Sequence, residues 1–358
     1  MATLKVGIIG CGRIASILED DPLRGKPCTH AGGFSALRNA KIVAACDIDA
    51  ERLKKFGKRW GVSALYENYE ELLASESIDV VCVSAWTRLH APITIASARA
   101  GVKGILCEKP IALNLKEARG MIKECEKNNV ILTINHERRW DPFYQQAKKL
   151  IQSGTIGELK TIIGSALSWK PPKASLSLYG GGPMFHDGTH LTDLLTFFCG
   201  KVAWVSACEK RSHGKKYIEE TASAMLGFKN GVIGFIQGGG ERNYFSFELD
   251  IQGSEGRILI GNGGRELFVS RKSGKFTGFR ELTKVPFPEP KKQESPFIGG
   301  AKDVVQCIQK GKDSLSSGRD GLEALKIIDA IYRSAQQGGK RLTILPERNP
   351  NARLDNAK

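Results

Sequence analysis

A strand-like run, Leu4–Ile9, ends in Gly10-Cys11-Gly12-Arg13-Ile14-Ala15. This G-x-G-x-x-A turn constrains the chain more than any other feature. It asks for a tight turn at Gly10, a backbone bare enough at Gly12 to meet a pyrophosphate, and close helix–strand packing at Ala15. The helix it opens would aim free N–H groups at phosphate, which places Gly10, Gly12, Arg13 and Ile14 at a dinucleotide. The pattern carries weight only inside a βαβ context. That context is present. Apolar runs at residues 40–47, 79–84, 104–107 and 130–135 alternate with helix-like segments at 49–61, 68–75, 90–100 and 115–128. Runs apolar on both faces belong to a parallel sheet covered by helices on both sides.

The second run ends in Asp47. A carboxylate there accepts hydrogen bonds from the adenosine ribose and repels a 2′-phosphate, favouring NAD over NADP. Asp47 falls later than the usual spacing of about 20 residues. Residues 18–29 read as an inserted loop that accounts for the delay. The competing role for Asp47 is to cap the helix behind it, and Arg52 and Lys54 stand close enough to complicate the choice of cofactor.

The chain has 358 residues, which at roughly 100–200 residues per domain predicts two domains. We expect residues 1–133 to form the dinucleotide-binding domain and residues 134–358 a second domain. The formal net charge is +15, with 53 basic and 38 acidic side chains. Residues 1–133 hold 19 basic and 15 acidic side chains, a net +4, and the remainder holds 34 and 23, a net +11. Three stretches, residues 201–216, 271–292 and 339–358, carry much of the excess and read as solvated loops and a tail. No helix-turn-helix, zinc knuckle or aromatic–basic interleaving points to nucleic acid. Nine cysteines without a Cys-x-x-Cys pair predict free thiols in a reducing, cytoplasmic compartment. No apolar stretch nears the ~18 residues of a membrane span, and no secretory leader is expected.

The strand at 104–107 runs into Glu108-Lys109-Pro110. A lysine at the carboxyl end of such a strand faces the ligand crevice and donates readily to a substrate oxygen. Four further segments share one signature: Ser84-Ala85-Trp86-Thr87-Arg88-Leu89-His90, Asn135-His136-Glu137-Arg138-Arg139-Trp140-Asp141-Pro142, Gly180-Gly181-Gly182 and His186-Asp187-Gly188-Thr189-His190. With these the chain resembles the Gfo/Idh/MocA oxidoreductases, named for glucose–fructose oxidoreductase and inositol dehydrogenase.

The resemblance implies an α/β fold: an N-terminal Rossmann domain, then an α/β domain on a large, mostly antiparallel open sheet. The sequence agrees. Strands are expected at 157–168, 201–209, 221–229, 231–237, 244–252, 256–260 and 266–270, with helices at 186–198, 301–310 and 319–336. Lys229-Asn230-Gly231 marks a hairpin. The resemblance further implies that residues 134–358 bind substrate and form a homodimer or homotetramer through the open sheet face.

It also implies a catalytic set of the Glu-Lys-Pro lysine and an Asp-x-x-x-His pair. Lys109 and His190 match. His186 stands at the aspartate position, and Asp187 follows it. His186 and His190, four apart, would share a helical face. Asp187 and Asp193 are candidate partners for His190. A histidine with an ordinary pKa near ~6.5 suits the base for a hydroxyl proton, and Lys109 would stabilise the same oxygen. Ser84, Trp86, Thr87, His90 and Glu108 are expected beside the cofactor, with Glu108 orienting Lys109 or touching ribose. Arg139 and Lys170 are expected at the substrate.

The expected activity is NAD-dependent hydride transfer between nicotinamide and a secondary alcohol or ketone of a sugar, cyclitol or sugar derivative. Two alternatives keep the cofactor. One is a redox-neutral glycoside cleavage by oxidation, elimination, addition and reduction. The other is a non-catalytic NAD-binding regulator. A zinc site on His186 and His190 would need a third ligand that the sequence does not offer.

Overall fold

The computed structural model describes residues 2–345. The basic tail at 339–358 lies largely outside them.

The first sheet is built from β1 (Leu4–Ile9), β2 (Ala40–Cys46), β3 (Ala64–Tyr66), β4 (Val80–Val83), β5 (Gly104–Cys107) and β6 (Ile131–Ile134). All pairings are parallel, in the order β3-β2-β1-β4-β5-β6. The order reverses between β1 and β4, so a crevice opens beyond their carboxyl ends. Burial follows from composition: Val6, Ile8, Val81, Cys82, Ile105 and Cys107 are completely enclosed. The three-residue edge strand β3 is too short to leave a periodic signal.

The glycine turn departs from expectation. No long helix follows it. Ser16 N–H bonds the Gly12 carbonyl at 3.0 Å, and the chain then leaves as a 3₁₀ turn, Ile17–Asp20. It returns at the helix His30–Ser35, where His30 N–H bonds Ile14 O (3.1 Å) and Ala31 N–H bonds Ala15 O (3.0 Å). An α-helix makes these bonds four residues apart, whereas here they span sixteen. The first helix is therefore interrupted by twelve residues and resumes in register. Glu19 closes the neck of the insertion, its Oε1 accepting from Cys28 N–H and Thr29 Oγ1, both at 2.8 Å.

The second sheet comprises β7 (Leu159–Leu167), β8 (Val202–Lys210), β9 (Thr221–Phe228), β10 (Ile233–Gly239), β11 (Ser246–Gly253), β12 (Gly256–Gly261), β13 (Gly264–Lys272), β14 (Arg280–Val285) and β15 (Leu342–Thr343). Its order is β14-β13-β12-β11-β7-β10-β9-β8-β15, and only β7–β10 is parallel. One face packs on the helices Gly188–Cys199 and Gly318–Gln336 through Leu191, Leu194, Leu195, Ile236, Leu249 and Ile331. The opposite face leaves Ile163, Met225 and Phe235 exposed. Part of the basic stretch 271–292, read as loop, is strand β14 paired antiparallel with β13. Its five leading residues are exposed, so no apolar alternation marks it.

The helix expected at 186–198 is broken at Asp187 into Pro183–His186 and Gly188–Cys199. His190 N–H bonds Asp187 O, three residues back rather than four. The late helix Pro296–Lys310 returns to the first sheet: Ala301, Val304 and Val305 join the core formed by Leu4, Val6 and Ile8.

Candidate functional site

The crevice starts at Gly10, whose φ of +93° suits glycine alone among common residues. A Cβ there would fall 2.7 Å from the backbone of Ser84 and Ala85. At Gly12 a Cβ would meet nothing within 4 Å. The backbone is therefore tight against β4 at the first glycine and bare at the second, as a pyrophosphate requires. Ile14 and the exposed Arg13 flank that bare segment. Asp47 is buried, with Oδ2 accepting Cys11 N–H at 2.8 Å and Oδ1 accepting Asp49 N–H at 2.9 Å. The helix cap is Asp49, so Asp47 is free of that role. Arg52 lies across both carboxylates, 3.2 Å from Asp47 Oδ1 and 3.0 Å from Asp49 Oδ2. These residues fit a dinucleotide with a free 2′-hydroxyl.

Ser84 Oγ donates to Gly10 O at 2.7 Å and so ties two loops together. The helix behind it runs Thr87–Arg99 rather than from residue 90. His90 is therefore inside it, buried, with Nδ1 2.9 Å from Pro110 O and Nε2 3.1 Å from Ala85 O. Burial lowers its pKa against the pull of those carbonyls. His90 clamps the loops around the site and does not face the crevice, which corrects the expectation that it touches the cofactor.

Glu108 is fully engaged by the protein. Oε1 accepts from His30 Nε2 and Asn135 Nδ2, each at 2.7 Å, and Oε2 accepts Lys109 N–H at 3.1 Å. Burial opposes its charge, but the His30 bond and charge and the nearby Lys109 hold the carboxyl at about 2. Burial likewise opposes the charged His30 ring, and the Cys82 sulfur and Glu108 raise it to about 10. The bond from Glu108 to Lys109 is made at the lysine's backbone N–H.

Lys109 Nζ reaches across to the second half of the chain and donates to His186 O at 3.0 Å. The His186 side chain faces a cavity of about 270 Å³, lined also by Trp86, Thr87, Arg88, Leu178 and Tyr179. Burial and the Lys109 charge push its imidazole down to about 4, so it is neutral at pH 7. The turn before it is held from beneath by the buried Glu219, which accepts Gly182 N–H at 2.8 Å and Met184 N–H at 3.0 Å. Nothing in the sequence singles out Glu219, because its role is to satisfy backbone groups brought close only by the fold.

His190 lies behind Lys109, buried, with no hydrogen-bond partner for Nδ1. Burial, Arg138, Lys109 and His136 hold its imidazole well below the ordinary value. Asp187 makes no side-chain hydrogen bond or ion pair among the described residues. Asp193 is occupied by Arg139 (Nη2–Oδ1 2.8 Å) and His136 (Nδ1–Oδ1 3.1 Å). The acid beside His190 is instead Glu137, at 3.5 Å. In the sequence Glu137 stands within the Asn135–Pro142 motif, and nothing local marks it as a partner of His190.

Arg139 is buried, and its guanidinium bonds Asp193, Asp320 and Leu315 O. It ties the helix Gly188–Cys199 to the helix Gly318–Gln336 through Asp193 and Asp320, which corrects its expected place at the substrate. Lys170 is 3.5 Å from Glu241 and does not line the cavity.

Residues 4–136 match an oxidoreductase family with an NAD-binding Rossmann fold, and residues 144–259 match the GFO/IDH/MocA C-terminal domain. D-apiose dehydrogenase of Paraburkholderia graminis is 27% identical over 354 residues, covering 93% of this chain and 88% of the relative. Myo-inositol 2-dehydrogenase of Thermotoga maritima is 27% identical over 340 residues, covering 93% of this chain and 97% of the relative. In fold the chain is similar to levoglucosan dehydrogenase in complex with NADH and L-sorbose: TM-score 0.81, 22% identity, 96% of this chain and 100% of that one. Matched by both halves of one family, and carrying the glycine cradle and crevice lysine that an NAD-dependent oxidoreductase needs, the chain belongs to the GFO/IDH/MocA oxidoreductases.

Proposed function

We propose that the protein is a dehydrogenase or reductase for a secondary alcohol or ketone on a sugar, cyclitol or sugar derivative. The observation that carries this reading is the reach of Lys109 from the dinucleotide crevice to the His186 carbonyl, beside the buried His190. NAD accepts or returns the hydride when bound. The residues do the rest. Lys109 donates to the substrate oxygen and stabilises the negative charge that grows on it. His190 holds the hydroxyl proton. His186 contributes a neutral polar wall where a carboxylate would bring charge. Trp86, 69% exposed at the cavity, offers an apolar platform for a ring face. The curated relatives above bear names of enzymes acting on polyols of this kind, which supports the substrate class.

We further place cofactor binding mainly in residues 1–133 and substrate binding and self-association in residues 134–358, as a homodimer or homotetramer. All nine cysteines are free thiols, which supports a reducing, cytoplasmic setting. The test is NADH formation from NAD on a panel of inositols, aldoses and anhydrosugars, and NADH consumption on their ketone forms. Lys109→Ala is expected to lose about 10²–10³-fold in turnover, the loss typical of an oxyanion donor, while NAD affinity stays within about threefold. Full activity of the variant on a genuine substrate overturns the role of Lys109. A panel without turnover in either direction overturns the dehydrogenase reading.

A further inference from the structure

His190 is a poor proton acceptor as its surroundings stand. Arg138, Lys109 and His136 all disfavour its charged form, and so does burial. Among the described residues, Glu137 is the one carboxylate within ion-pair distance. Its Oε2 lies 3.5 Å from the buried, unbonded Nδ1. The carboxylate is held in place from its other side, where Arg138 Nη1 donates to Oε1 at 2.7 Å. The Arg138 guanidinium in turn lies 3.9 Å over the Phe247 ring. His190 meets the same ring edge to face, with centroids 6.2 Å apart. One aromatic ring thus fixes both the arginine that orients Glu137 and the imidazole that Glu137 faces. The charged groups acting on Glu137 itself are Arg138, Lys109 and Glu108, and burial raises its carboxyl above the ordinary value.

We infer that Glu137 is the positioning carboxylate of the site, accepting the Nδ1–H of His190 and leaving Nε2 as the nitrogen that exchanges a proton with substrate. The inference rests on the dehydrogenase reading proposed above. In the oxidation direction the substrate O–H proton passes to Nε2 and the C–H hydrogen leaves with its electron pair to nicotinamide. The C=O bond then forms. Glu137 neither gains nor loses a proton; its negative charge stabilises the imidazolium as it forms. A separation of 3.5 Å is long for a hydrogen bond, and such contacts commonly tighten when substrate fills a site. Fixing one ring nitrogen through its hydrogen bond is the general way a histidine tautomer is chosen.

The test uses the NAD-bound protein with ¹⁵N-labelled imidazoles, the His190 signals being assigned by their loss in His190→Asn. The wild-type ring is expected as the Nδ1–H tautomer. Glu137→Gln should redistribute it toward Nε2–H and make it titrate at least one unit lower, a tenfold loss in proton affinity. Glu137→Asp, with the carboxylate withdrawn by one methylene, should fall between the two, and it serves if the glutamine variant does not fold. On any polyol the wild type turns over, Glu137→Gln should lower kcat about 10²-fold with KM within about threefold. An unchanged His190 tautomer and titration in Glu137→Gln overturns the inference. Absence of turnover by the wild type overturns the dehydrogenase reading instead and leaves the NMR outcome to decide the role of Glu137.

Discussion

Gly10 and Gly12 differ in what surrounds them, and that difference is testable. Gly10 has a positive φ and backbone at 2.7 Å from where a Cβ would sit, so any substitution strains the fold. Gly12 has open space. Gly12→Ala is therefore expected to leave stability within about 0.5 kcal/mol, the scale of surface changes away from special features. The added methyl projects where a pyrophosphate approaches, so the NAD Kd should rise at least tenfold, about 1.4 kcal/mol. Calorimetric unfolding and NAD titration read the two effects separately. An unchanged Kd would sink the assignment of Gly12 to the phosphate cradle. At this scale the placement of a residue was legible wherever it depends on its own backbone or on the end of a strand, as for Gly10, Gly12, Asp47 and Lys109. It was opaque where a role depends on what the fold brings near. Arg138 and Arg139 are adjacent and identical in type. Only tertiary contacts turn Arg139 into the buried Asp193–Asp320 junction and leave Arg138 to orient Glu137.

Elements with a strong apolar period were readable, and those set by local chemistry alone were not. The helix Pro142–Gln152 begins with Asp141 accepting from Phe143 N–H at 2.8 Å and proline in its first turn. That is an ordinary start signal, carried by residues that also belong to the Asn135–Pro142 motif. The insertion at residues 18–29 was legible as an excess of spacing, and its geometry shows why the fold tolerates it. His30 and Ala31 take up the hydrogen bonds that residues 18 and 19 of an uninterrupted helix would make. Joining Ile17 directly to His30 should therefore give one continuous helix with Ile14–His30 and Ala15–Ala31 bonds at normal spacing. The shortened protein is expected to fold, to gain helical content by circular dichroism, and to hold NAD within about threefold of wild type. The loss of Glu19, Cys28 and Thr29 contacts should cost roughly 1–2 kcal/mol, the net worth of one or two hydrogen bonds. Failure to fold would mean that the insertion, rather than the helix it interrupts, supports the His30–Glu108 pair beneath Lys109.

For the molecule as a whole, the two sheets are joined by the helix Gly318–Gln336, which sends Leu322, Leu325 and Ile328 into the core of the first and Ile327 and Ile331 into that of the second, and by Arg139, which pairs with Asp320 on that helix and with Asp193 on the helix covering the second sheet. The site lies where the crevice of the first sheet meets the helix that covers the inner face of the second. Among the described residues no layer covers the outer face of that second sheet, and Ile163, Met225 and Phe235 remain 38–41% exposed upon it. A sheet normally buries at least one face, and when a contiguous apolar patch is left on the other it marks an association surface. Strand alternation puts Ser165, Ser223 and Gln237 on the same face around Phe235, with Ile163 and Met225 directly opposite it on the two neighbouring strands. The proposed homo-oligomer should therefore depend on this face. Phe235→Arg places a charge at the centre of the patch, where central anchors commonly contribute about 2 kcal/mol or more. The dissociation constant should rise at least about 30-fold on that scale, with mass by light scattering moving toward the 39.1 kDa of one chain. Because the proposed catalytic groups lie on the other side of the sheet, the NAD affinity of the variant should stay close to that of wild type. A wild-type protein that runs at 39.1 kDa at every concentration would remove the oligomer, and Phe235→Arg would then change neither mass nor cofactor binding.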